Sequence, residues 1–124
     1  MKDKRPVNLD IGTIRLPVTA YASIMHRISG VILVGASFLL LALLDLSLAG
    51  ADGFARAAAI LGGVVPRILL WAILTVLIYH SLAGIKHLVM DFGIGESLEG
   101  GSFAARLVFV LAALGSALAG VALW

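Results

Sequence analysis

Three long runs without a single charged residue constrain this chain more than any other feature. Ile28 to Leu44 is 17 residues, Ile68 to Ile85 is 18, and Leu107 to Trp124 is 18. As helices rising about 1.5 Å per residue, each covers roughly 26 Å, close to the ~30 Å hydrocarbon thickness of a bilayer. Flanking apolar residues supply the missing turn: Ile24 and Met25 before the first run, Phe103 to Ala105 before the third. Charged residues are 13% of the 124, against roughly 25% in an average soluble domain. Mean hydropathy is +1.11. Three buried core helices of a water-soluble protein would need polar faces to meet water, and these runs have none. The expected fold class is an all-α membrane protein with three transmembrane helices.

Punctuation along the chain divides a single domain over 1–124 into an N-terminal arm over 1–20 and spans over about 21–48, 64–90 and 103–124. Pro6, Gly12 and Pro17 argue against one continuous helix in the arm. Thr19, just after Pro17, is the expected cap of the first helix. Gly50, Asp52 and Gly53 mark an aqueous loop, and Phe54 to Leu61 a short surface helix that Gly62-Gly63 ends. Pro66 suits the first turn of the second span. Asp91 to Ser102, glycine-rich and acidic, is expected to be a loop. No cleavable signal peptide is expected, because the charged N-terminal stretch is long and no cleavage signal follows the first apolar run.

The sequence pI of about 9.4 does not point to nucleic acid, because the charges are sorted by side of the membrane. Lys2, Lys4, Arg5, Arg15 and Arg27 precede or begin the first span, and Lys86 and Arg106 border the loop between the second and third. Only Arg56 and Arg67 lie on the other side. The positive-inside bias then puts the N-terminus and the 91–102 loop in the cytoplasm, or in the matrix of a mitochondrion. Without cysteine, the chain supplies no disulfide, thiolate or iron–sulfur ligand.

That topology brings the three histidines to one level. His26 and Arg27 begin the first span, and Lys86 and His87 end the second at the same side. His80 is six residues short of Lys86, about 9 Å deeper. His80, Gly84 and His87 fall at i, i+4 and i+7, hence on one helix face, and Gly84 leaves a trough against which a flat macrocycle can lie. On the first span Ser23, Arg27 and Gly30 share a face, flanked by His26 and Ser29. Ionisable groups inside a membrane are costly and mark functional sites by default. A deep neutral imidazole, His80, below a ring of cations suits haem iron, with the propionates toward Arg27, His26 and His87. Ser23 offers a hydroxyl to a carbonyl oxygen such as a quinone's.

Each residue also has a plainer role open to it. An intramembrane histidine can be a hydrogen-bonded structural residue, Arg27 can snorkel to headgroups, and Ser23 can bond a carbonyl of its own helix. Lys86 can be a topology charge, and Asp91 a helix-end acceptor or part of a proton path. A solute- or proton-handling protein is disfavoured, since no acidic or histidine steps lead outward beyond Asp45. On the third span Ala112, Ser116 and Gly120 recur every four residues, with Ala113, Ala117 and Val121 beside them. This ladder fits either a tight helix contact or ordinary span composition.

Three motifs carry a resemblance. R-P-V-N-L-D at Arg5 to Asp10, S-I-M-H-R-I-S-G at Ser23 to Gly30 and H-S-L-A-G-I-K-H-L-V-M-D-F-G at His80 to Gly93 resemble the cytochrome b membrane anchor of succinate dehydrogenase, complex II. The resemblance covers nearly the whole chain in order. It implies that His80 is an axial ligand of haem b, with the second ligand from a companion membrane anchor in a hetero-subunit helical bundle. It implies that Ser23 and Arg27 line a ubiquinone pocket, and that His26, Arg27 and His87 lie near the haem propionates. The implied partners are that second anchor, an iron–sulfur subunit, a flavoprotein subunit and membrane lipid; no catalytic site is complete in this chain. Mitochondrial-type members carry R-P-x-S-P-H-L near the start, so Asn8 and Leu9 imply a bacterial inner membrane. Lys86 stands where many members have arginine, which removes the planar two-pronged donor. The alternative is a purely structural membrane anchor.

Overall fold

The computed structural model describes Val7, Leu9, Asp10 and residues 12–124. Arg5, Pro6 and Asn8 of the R-P-V-N-L-D motif, with Lys2 and Lys4, lie outside the described residues. Among those described there are four helices and no strand: α1 Val18–Leu48, α2 Ala51–Gly62, α3 Val64–Asp91 and α4 Leu98–Leu123. α1, α3 and α4, at 31, 28 and 26 residues, are each long and apolar enough to cross a membrane.

The helix ends depart from expectation in two places, each for a local reason. Pro17, not Thr19, stands at the N-cap of α1; its extended backbone (φ −67°, ψ 159°) presents a carbonyl to the amides of Ala20 and Tyr21, and no side chain caps the end. Thr19 is already inside the first turn. α4 starts at Leu98 rather than at Phe103, because Ser97 Oγ accepts the Gly100 amide at 3.0 Å. Gly100 reads in sequence as a breaker, yet it answers a close approach: a Cβ there would stand 3.1 Å from the Gly95 backbone. The connection between α3 and α4 shrinks to Phe92–Ser97, with Gly93 and Gly95 at positive φ. α2 fills most of the expected loop, starting at Ala51 after Gly50 turns at φ 111°.

α3 and α4 form the tightest pair. Tyr79 and Ala83 pack on Val108 and Ala112, and the Tyr79 ring stacks on Phe109 with centroids 5.5 Å apart. Farther along, Trp71 Nε1 donates to the Ser116 carbonyl at 2.8 Å and Thr75 Oγ1 meets Ser116 Oγ at 2.7 Å. A Cβ at Gly120 would lie 3.3 Å from the Trp71 indole nitrogen, so the glycine admits that ring. The Ala112–Ser116–Gly120 ladder is therefore a contact surface for α3. α1 joins through a smaller seam, in which Tyr79 Oη donates to the Ala22 carbonyl at 2.7 Å. Outside these seams the surface is apolar: Val31, Phe38, Leu118 and Val121 are 70–80% exposed, as side chains in contact with lipid would be.

Candidate functional site

α1 turns a narrow strip toward α3. Ala22, Ser29 and Ala36 are its buried residues, at i, i+7 and i+14, and His26 lies on the same strip one turn before Ser29. The i, i+4, i+7 face of α3, His80–Gly84–His87, meets that strip. His26 inserts between the two α3 histidines: its ring stacks on His80 at 4.2 Å and 16°, and on His87 at 5.0 Å and 27°. The trough at Gly84 thus holds an imidazole of this chain. A Cβ at Gly84 would lie 3.6 Å from His26 Nε2, which is buried and has no hydrogen-bond partner among the described residues. The mirror feature is on α1, where a Cβ at Gly30 would press to 3.2 Å from His80 Cε1.

For neutral rings, proton counting sets the tautomer of two of them. Ser29 Oγ lies 2.7 Å from the His26 carbonyl oxygen and 2.8 Å from His80 Nδ1. The carbonyl can only accept, so the single Ser29 proton goes there. His80 Nδ1–H must then donate to Ser29 Oγ, which leaves Nε2 deprotonated. His87 follows the same logic within one helix turn: Nδ1–H donates to the Ala83 carbonyl at 2.7 Å, again leaving Nε2 with a free lone pair. His80 Nε2 makes no hydrogen bond among the described residues, and unlike His26 Nε2 it is not enclosed.

The cations and Ser23 stand apart from this stack. Arg27 is exposed and Ser23 half-buried, and neither makes a hydrogen bond or ion pair among the described residues. Lys86 is 8% exposed and lines an apolar hollow of about 370 Å³ between α3 and α4, with Ile94 and Phe103, away from the histidines. Of the expected site residues, the structure brings His26, His80 and His87 into contact and leaves Arg27 and Ser23 beside them on α1. Sequence spacing missed Ser29 as the partner of His80 and Gly30 as the relief for its ring. The available signal was the S-G pair three and four residues after His26.

Residues 1–119 match the family described as the succinate dehydrogenase/fumarate reductase transmembrane subunit. The chain belongs to this family. It is 39% identical over 126 residues to the succinate dehydrogenase cytochrome b556 subunit of Coxiella burnetii, covering all of both chains. The corresponding Paracoccus denitrificans subunit is 34% identical over 98 residues, 79% of this chain and 75% of its own. A succinate dehydrogenase hydrophobic membrane anchor subunit of Halobacterium salinarum is 34% identical over 89 residues, 71% of this chain and 68% of its own. With three apolar helices of spanning length, this member of the family is a multi-pass membrane protein.

Proposed function

We propose that this chain ligates haem b through His80 and lines a ubiquinone site with Ser23 and Arg27, as one of two membrane anchors of a succinate:quinone oxidoreductase. One observation carries the reading. The Ser29 contact holds His80 as the Nδ1–H tautomer, so its other nitrogen is a neutral, unprotonated ligand open to a group beside the helix pair. The residues fit a haem: an imidazole lone pair at depth, and nearer the helix ends the Arg27 guanidinium to donate to anionic propionates, with His87 able to join it only when its Nε2 is protonated, because Nδ1–H is given to Ala83. The cytochrome b556 names of two relatives agree with that group. When bound, haem b supplies a one-electron carrier; this chain's residues hold it and keep its surroundings apolar.

The remaining ligand comes from a companion anchor, and the electrons from an iron–sulfur subunit fed by a succinate-oxidising flavoprotein. In a quinone site at the start of α1, the exposed guanidinium of Arg27 and the hydroxyl of Ser23 would donate to the quinone carbonyls. The assembly sits in a bacterial inner membrane with this chain's N-terminus in the cytoplasm, and the whole of 1–124 acts as one membrane-anchor domain. A second reading, a purely structural anchor, is favoured by the imidazole stack itself, which ties α1 to α3 with no added group.

A pyridine haemochrome spectrum of the purified complex separates the two. The expected result is a b-type signal that His80→Ala abolishes. A signal unchanged in that variant, or none in the native complex, overturns the haem assignment. For the quinone site, Ser23→Ala and Arg27→Leu should depress quinone reduction while succinate oxidation by an artificial acceptor persists; wild-type quinone reduction in both variants removes the assignment.

A further inference from the structure

We infer that Ser29 is a positioning residue for His80, fixing which ring nitrogen faces the cofactor and how strongly that nitrogen donates. The inference rests on the proposal that His80 binds haem iron, and deepens it by assigning the Ser29 hydroxyl an effect on how tightly haem is held and on its potential.

Four observations converge on Ser29. It is buried, 5% exposed, in the strip of α1 that faces α3. Its hydroxyl proton is committed to the His26 carbonyl at 2.7 Å, so toward His80 the oxygen can act only as an acceptor. The contact to Nδ1, at 2.8 Å, crosses 51 residues of sequence and joins the two spans. Finally, the ring is confined on two further sides, by the His26 ring stacked at 4.2 Å and by the α1 backbone at Gly30. Confinement alone limits where the ring lies but does not choose its tautomer. Only the hydroxyl does that.

Two consequences follow from general ligand chemistry. An imidazole whose distal N–H is held by an acceptor is oriented and is a better donor, and loss of such a partner typically costs about 10–100-fold in metal affinity. A more basic ligand favours the ferric state, so the bond lowers the haem potential. Without Ser29 Oγ, the proton can move to Nε2, the nitrogen that iron needs, or Nδ1–H is left without a partner.

The test compares Ser29→Ala, Ser29→Thr and His80→Ala in the complex purified from membranes. Haem retention is read by transfer to excess apomyoglobin, and the haem midpoint potential by redox titration of the b-type absorbance. Ser29→Ala is expected to lose haem more readily, with affinity down by about 10–100-fold, and to show a raised potential. Ser29→Thr, which keeps the hydroxyl, is expected to restore both. If the alanine variant does not assemble, the same readings are taken on Ser29→Cys, whose thiol is a weak acceptor of similar size. Native potential and retention in Ser29→Ala or Ser29→Cys, with the spectrum lost in His80→Ala, would overturn the role of Ser29 and leave the haem assignment standing. A b-type spectrum that survives His80→Ala would instead sink the haem assignment itself. A role in assembly alone would change yield without a hydroxyl-dependent change in potential.

Discussion

At the scale of single residues, the seam between α1 and α3 depends on the side chain missing at Gly30 and, less tightly, at Gly84. Gly30 lets the His80 ring lie against the α1 backbone, and a Cβ there would stand 3.2 Å from Cε1, tighter than ordinary contact. A branched side chain has no space at all. Gly30→Val should therefore push the ring off its Ser29 bond and destabilise the complex by about 1–3 kcal/mol, as overpacking does. Thermal unfolding of the solubilised complex, followed through the b-type absorbance, checks this; native behaviour in both readings would show that the seam has slack. Much of the cluster was legible in sequence. His80, Gly84 and His87 had to share a face by helical spacing, and topology put His26 at their level. What spacing could not supply is the identity of the side chain across the seam. The face of α1 that looked polar, Ser23–Arg27–Gly30, is not centred on α3; rotated by one residue, the His26–Ser29 strip is. Helical periodicity defines faces, but only packing chooses which one turns inward.

At the scale of helices, the α3–α4 pair is held by small residues and two polar crossings where lipid offers no hydrophobic drive to associate. Gly115 shows how close the backbones come: a Cβ there would meet Ile78 Cγ2 at 2.9 Å. The crossing of Thr75 Oγ1 and Ser116 Oγ, at 2.7 Å, is a pair whose coupling can be measured. A double-mutant cycle of Thr75→Val and Ser116→Ala should give about 0.6 kcal/mol, the average for such bonds in membranes. Trp71 should keep its own bond throughout, since it uses the Ser116 carbonyl rather than the hydroxyl. Coupling indistinguishable from zero, measured by reversible unfolding in detergent, would make the crossing incidental. A larger loss is expected from Gly115→Leu, because Ile78 would have to leave its place. The four-residue ladder of α4 was visible in sequence, but whether it served this chain or another was not. The start of α4 lies earlier than the sequence suggests because glycine has two uses, breaking helices and permitting contact, and Gly100 belongs to the second.

At the scale of the whole molecule, orientation is decided by where the cations can reach, and the structure changes how Lys86 and Arg67 count. Lys86 is buried in the α3–α4 hollow, and so is a weaker topological signal than an exposed lysine. Leaving it out still gives six basic residues on the side of the N-terminus against two on the other. Those two are not equal either: Arg67 lies 5.8 Å over the Trp124 ring and donates to the Gly62 carbonyl at 3.3 Å, so only Arg56 there is without such contacts among the described residues. Recounted this way, the asymmetry remains strongly in favour of the N-terminus and the α3–α4 turn facing the cytoplasm. The chain has no cysteine, which gives a clean background for labelling. Ala51→Cys, at the exposed start of α2, and Glu96→Cys, in the exposed α3–α4 turn, sample opposite ends of the bundle. In right-side-out vesicles a membrane-impermeant maleimide should label position 51 and spare position 96, and inverted vesicles should reverse the pattern. Labelling of position 96 from outside would place the histidine cluster in the outer half of the membrane. Labelling of both positions from one side would break the three-span topology on which the meeting of α1 and α3 depends.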